Sequence, residues 1–77
     1  MYLLSELAVG EAGRITNIEG GRGIRHRLLL RGITEGSSFR MVSSNGGPIV
    51  VEIGRNTVAI GRGMAQRILV SKGKSDN

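Results

Sequence analysis

Seventy-seven residues suit one small domain, and 11 Lys+Arg against 6 Asp+Glu leave a net charge of +5. With no cysteine and a single histidine, His26, the chain has no disulfide framework, no thiol nucleophile and no multi-histidine metal site of its own. No apolar run approaches the roughly 20 residues of a membrane-spanning helix. The start, Met1-Tyr2-Leu3-Leu4-Ser5-Glu6, also lacks the form of a secretory signal, so a soluble, cytoplasmic protein is expected.

Leu3, Leu4 and Leu7 are spaced as on one helical turn, which ends at Gly10. Glu11 to Ile18 is β-leaning without clean alternation and reads as the first strand. A flexible Gly20-Gly21-Arg22-Gly23 loop follows. It lacks the Gly-Lys-Ser/Thr ending of a phosphate-binding loop. Ile24 to Arg31, rich in Leu and Arg, predicts a helix closed by Gly32. Ile33-Thr34-Glu35-Gly36 is a turn, and Phe39 to Ser43 the second strand. Asn45-Gly46-Gly47-Pro48 connects to the third strand, Ile49 to Ile53, and Gly54-Arg55-Asn56 to the fourth, Thr57 to Ile60. Gly61 to Arg67 breaks the pattern around one helical turn before a last strand, Ile68 to Val70.

Eight Ile and six Val against seven Leu favour strands, and a domain this small must spend most of these side chains on its core. The expected fold is mainly β. It is a small SH3-like barrel of about five strands, closed on itself to protect its edges, with one short α-helix inserted after the first strand. Residues 1–70 form the single domain and residues 71–77 a frayed C-terminal tail.

Catalysis finds no support in the side chains. Glu6, Glu11, Glu19, Glu35 and Glu52 show no paired spacing with His26, and no nucleophile elbow surrounds a serine. The residues from Arg22 to Arg31 instead hold four arginines and no acid. Arg22, Arg25 and Arg31 are candidates for docking on an acidic protein surface. If Ile24 and Leu28 face the core, Leu29 and Leu30 cannot both do so, and an exposed leucine among arginines suits the centre of a contact. His26 could ligate a metal only in an oligomer, with a copy of itself or with Glu19 or Glu35. No cofactor is expected.

The ordered set Leu4-x-x-Leu7-x-x-Gly10, Gly13-x-Ile15-x-x-Ile18, Arg27-Leu28-x-x-x-Gly32-Ile33-x-x-Gly36, Gly47-Pro48-Ile49, Val58-Ala59-Ile60 and Ala65-x-x-Ile68-x-Val70 resembles the FeoA family over residues 3–70. The resemblance implies a small cytoplasmic accessory of ferrous iron uptake. Its partner would be FeoB, the membrane iron transporter with a cytoplasmic GTP-binding domain. Iron is then the system's cargo, and the membrane is met only through the partner. Arg27 stands where the family keeps an arginine, which implies a structural role in an internal ion pair. A similar module resembles the C-terminal part of some iron-dependent repressors. No DNA-binding domain precedes it in this sequence, so the transport accessory is the expectation. Self-association is a further expected contact. The alternative is a nucleic-acid-binding, KOW-like barrel, suggested by the charge and by Gly10 to Ile15. With only Tyr2 and Phe39 aromatic, the chain lacks stacking platforms for single strands, and no nucleic-acid partner is expected.

Overall fold

A computed structural model describes residues 1–73. Its elements are β1 (Tyr2–Leu3), a 3₁₀ turn (Leu4–Glu6), β2 (Ala12–Ile18), α1 (Arg22–Leu30), β3 (Ser38–Ser43), β4 (Ile49–Ile53), β5 (Asn56–Ile60), α2 (Arg62–Ala65) and β6 (Ile68–Lys72). The six strands form one sheet in the order β1-β6-β2-β3-β4-β5, antiparallel throughout.

The expected closed barrel is not what forms, because β5 and β1 end the sheet without pairing. The strand that would complete the ring is two residues long. After β5 the chain turns at Gly61 into α2, which lies against the 3₁₀ turn. The two ends are thus bridged by α2 and the 3₁₀ turn and not by a ladder. The strand count is six because Tyr2 and Leu3 pair with Val70 and Leu69. The helical turn expected between Gly61 and Arg67 forms as α2, a second short helix beside the one counted in the expected fold. Strand β6 also runs past Val70, with Ser71 opposite Arg14 and Lys72 opposite Gly13, so the frayed tail does not begin at Ser71. The rest of that predicted tail, 74–77, lies outside the described residues.

The broken alternation before Ile18 has a local cause. Against β6 the register shifts between Ile15 and Asn17, so Thr16 is an extra residue. Its hydroxyl donates to the Leu69 carbonyl at 3.0 Å. The bulge lets Ile15 and Ile18, three apart, both face inward. They join Leu4, Leu7, Leu28, Ile33, Phe39, Met41, Ile49, Val51, Val58, Ile60, Ala65, Ile68 and Val70 in one core. No polar side chain is buried among the described residues. Arg62, at the start of α2, donates to the carbonyls of Gly47 and Ser44 and holds the β3–β4 connection to that helix.

Glu11 shows how a surface carboxylate locks a turn. Its Oε1 accepts from the Ala8 N–H at 2.7 Å, and its Oε2 pairs with Lys72 Nζ at 3.2 Å. The backbone bond first, then the lysine, hold the carboxyl below the ordinary glutamate range. A lowered folded-state pKa contributes stability above the unfolded value, and that stability is lost as pH falls through the folded one. Glu11→Gln should remove this part of the acid dependence. In a two-dimensional NMR titration the wild-type Glu11 carboxyl should protonate below the ordinary glutamate range. Protonation of Glu11 within the ordinary glutamate range would contradict the turn lock.

Candidate protein-interaction surface on helix α1

Helix α1 begins two residues earlier than Ile24, taking in Arg22 and Gly23 from the loop expected to be flexible. Gly21 is its N-cap in extended conformation. The C-terminal end is a Schellman motif. Gly32, at φ +85°, donates to the Leu29 carbonyl at 2.9 Å, and Ile33 donates to the Leu28 carbonyl at 2.9 Å. Leu28 and Ile33, the pair whose contact accompanies this motif, are both buried. Leu28 is the one fully buried residue of the helix, with half-buried Ile24 packed beside it.

With Leu28 fixed inward, helical geometry distributes the others. His26 and Leu30 form the outer crest, Arg25 and Leu29 one flank, and Arg27 and Arg31 the other. Leu29 is 54% exposed and Leu30 73%, so both leucines are left to solvent. Arg22, Arg25, His26, Arg27 and Arg31 are exposed as well. The predicted contact residues therefore share one helix but not one face.

Their electrostatic positions differ. Arg25 donates through both Nη1 and Nη2 to Glu35 Oε2, each at 2.9 Å. The same oxygen accepts from the Ile18 N–H at 3.2 Å, which ties the helix to the end of β2. Arg31 Nη1 donates to the Ala59 carbonyl on β5 at 2.9 Å. Among the described residues the ion pairs are Arg25–Glu35 and Lys72–Glu11, so the internal pair expected of Arg27 is made by Arg25 instead. Arg22 and Arg27 keep their charge for solvent or a partner. His26 gathers no ligand set, and among the described residues no three His, Asp or Glu stand close enough to hold a metal ion. The arrangement is a pair of adjacent exposed leucines, Leu29 and Leu30, with cations on both flanks of the helix. It can exclude water at its centre and meet acidic groups at its margin.

Glu35 and Ala59 are the residues that reading the sequence missed as parts of this surface. An acid placed ten residues after Arg25 carries no periodic signal. The Arg31–Ala59 bond spans 28 residues and depends on where β5 ends up in the sheet.

Comparison with known proteins places the sequence and the fold. A family model described as FeoA domain matches residues 2–72. The chain is 34% identical over 70 residues to a Methanocaldococcus jannaschii protein assigned as Fe(2+) transport protein A, covering 91% of this chain and 85% of the relative. Its fold is similar to the crystal structure of an iron uptake regulatory protein (FeoA), with TM-score 0.85 and 38% identity over 91% of this chain and 93% of that one. It is also similar to the solution structure of FeoA from Chlorobium tepidum, with TM-score 0.85 and 26% identity over 99% of this chain and 74% of that one.

Proposed function

The chain belongs to the FeoA family, and from that premise we propose that it is a non-catalytic accessory of ferrous iron uptake that works in the cytoplasm by binding the FeoB transporter through helix α1. The observation that carries this reading is the pair of exposed leucines, Leu29 and Leu30, set among arginines on a helix with no acidic residue. Apolar area at the centre supplies affinity, and the guanidinium rim steers encounter with an acidic surface. Bound there, the protein biases transport only to the extent that it prefers one conformation of FeoB over another. Arg22, Arg25 and Arg31 are its rim contacts in this reading. A nucleic-acid role is less well supported, since Phe39 is buried in the core and the Tyr2 ring is covered by Lys72 Nζ, 4.6 Å from its centroid.

The test is titration of the cytoplasmic part of FeoB with the wild-type chain and with Leu30→Glu, in each nucleotide state. The variant should bind about tenfold or more weakly, the loss of one central apolar anchor. Its circular dichroism should match wild type, because Leu30 contributes nothing to the core. Absence of wild-type binding in every nucleotide state overturns the proposal.

A further inference from the structure

The β4–β5 hairpin turns through Gly54, at φ +61°, and Arg55, which has no positive φ, the pattern of a two-residue type II′ turn. Ile53 and Asn56 flank that turn. The ladder continues with Thr57 opposite Glu52, Val58 opposite Val51, Ala59 opposite Val50 and Ile60 opposite Ile49. In an antiparallel ladder alternate residues turn both backbone groups to the neighbouring strand, and those between turn theirs away. The residues flanking a two-residue turn bond each other, so Asn56, Val58 and Ile60 face β4. Thr57 and Ala59 then present their N–H and C=O groups outward, where no further strand lies. Among the described residues one bond is made on that side, the Arg31 guanidinium donating to the Ala59 carbonyl. The opposite edge is blunted. Strand β1 has two residues, and the Leu3 N–H donates to Glu6 Oε1 at 2.8 Å.

Beside the end of β5 lies an open slot of about 220 Å³. Leu28, Ile60 and Met64 give it an apolar lining, Arg27 and Arg31 are its charged residues, and no acid lines it. We infer that the outer edge of β5 accepts an extended, acidic-apolar segment of a partner protein, which pairs with Thr57 and Ala59, sets an apolar side chain into the slot and brings a carboxylate to Arg27 and Arg31. Main-chain bonds supply affinity in this mode, and pockets for particular side chains supply selectivity. The charge selects the occupant. Neither guanidinium is paired with a carboxylate among the described residues. A second copy of the same edge would bring these arginines against their like, which disfavours self-pairing. Arg31 guards the edge in the free protein by occupying the Ala59 carbonyl, and an incoming carboxylate draws it away.

The inference rests on the reading that the chain acts by protein contact, but not on which transporter it meets. The experiment is NMR titration and amide hydrogen exchange of the full chain with a short, end-blocked peptide repeating Val-Val-Glu-Glu, which sets both residue types on each face of an extended strand, and with its lysine counterpart. With the acidic peptide the Thr57 and Ala59 amides should exchange about tenfold more slowly, the effect of roughly one added hydrogen bond. The amides of Arg27, Leu28 and Met64 should shift, and the basic peptide should do neither. The double variant Arg27→Glu, Arg31→Glu should reverse the preference. Unprotected Thr57 and Ala59 at millimolar acidic peptide, shifts confined to Leu29 and Leu30, or an unchanged preference in the double variant would each overturn the inference. Any of these results leaves the FeoB titration to stand or fall separately.

Discussion

Gly13→Ala is expected to cost about 3 kcal/mol, at the upper end of what overpacking does, and to lower the melting temperature by about 15 °C in a domain of this size. Gly13 lies in β2 between two strands, opposite Phe39 of β3 and Lys72 of β6. A Cβ built there falls far inside contact with the backbone oxygen of Ser71 and 3.2 Å from two carbons of the Phe39 ring. Neither neighbour yields cheaply, because one is ladder backbone and the other a buried ring. Gly63→Ala is the control. It sits within α2, has ordinary φ and meets nothing within 4 Å. Alanine there should be neutral or stabilising by up to about 1 kcal/mol. Urea unfolding of the two variants beside wild type makes the comparison. Equal stability of Gly13→Ala and wild type would contradict the close approach of β2 and β6.

The second large effect falls on the helix that carries the proposed contact. Leu28→Ala should destabilise by about 3 kcal/mol, the loss of a buried leucine with partial collapse of the space it leaves. Leu29→Ala and Leu30→Ala should stay within about 0.5 kcal/mol of wild type, as surface substitutions do. The contrast arises because Leu28 is 3% exposed whereas its two neighbours stand in solvent. It should appear also in native-state hydrogen exchange. The α1 amides in Leu28→Ala should exchange much faster than those of β2 and β6, since Leu28 is the helix's one fully buried anchor. A uniform rise in exchange throughout the sheet would mean that the helix and sheet open as one unit. Near-equal costs for all three leucines would contradict the orientation of α1.

Much of this architecture could be read from neighbouring residues. Gly32 announced the end of α1 because only glycine adopts a φ of +85° without penalty there. The β4–β5 hairpin was legible because its turn and both flanking apolar runs lie within a dozen residues. That at least one of Leu29 and Leu30 is exposed followed from helical spacing; that both are is seen only in the structure. The irregular stretch before Ile18 was seen, but its cause was not, since a bulge is defined by the partner strand and β6 lies some fifty residues on.

What escaped the sequence was non-local. Two residues, Tyr2 and Leu3, are too few to show an alternation, so β1 had no signal. Closure of the barrel was inferred from the general need to protect edges, whereas this chain protects one edge with Glu6 and leaves the other to Arg31. The arginine-rich composition of α1 was plain, but the division of its charges was not. Arg25 is drawn to Glu35 by a turn that follows the helix, and Arg31 to a strand whose position depends on the whole sheet.

The order of the strands also sets a timetable. The β3–β4–β5 meander needs only tight connections, whereas β6 must travel back across the chain to insert between β1 and β2. Closing so long a loop costs entropy before the ladder repays it, which places such topologies among the slower two-state folders, in the millisecond to second range. Until β6 arrives, the inward faces of Ile15 and Ile18 lack Ile68 and Val70 as cover. The interval before that last insertion is when a nascent chain of this kind is most exposed to aggregation, and when chaperone assistance would matter most.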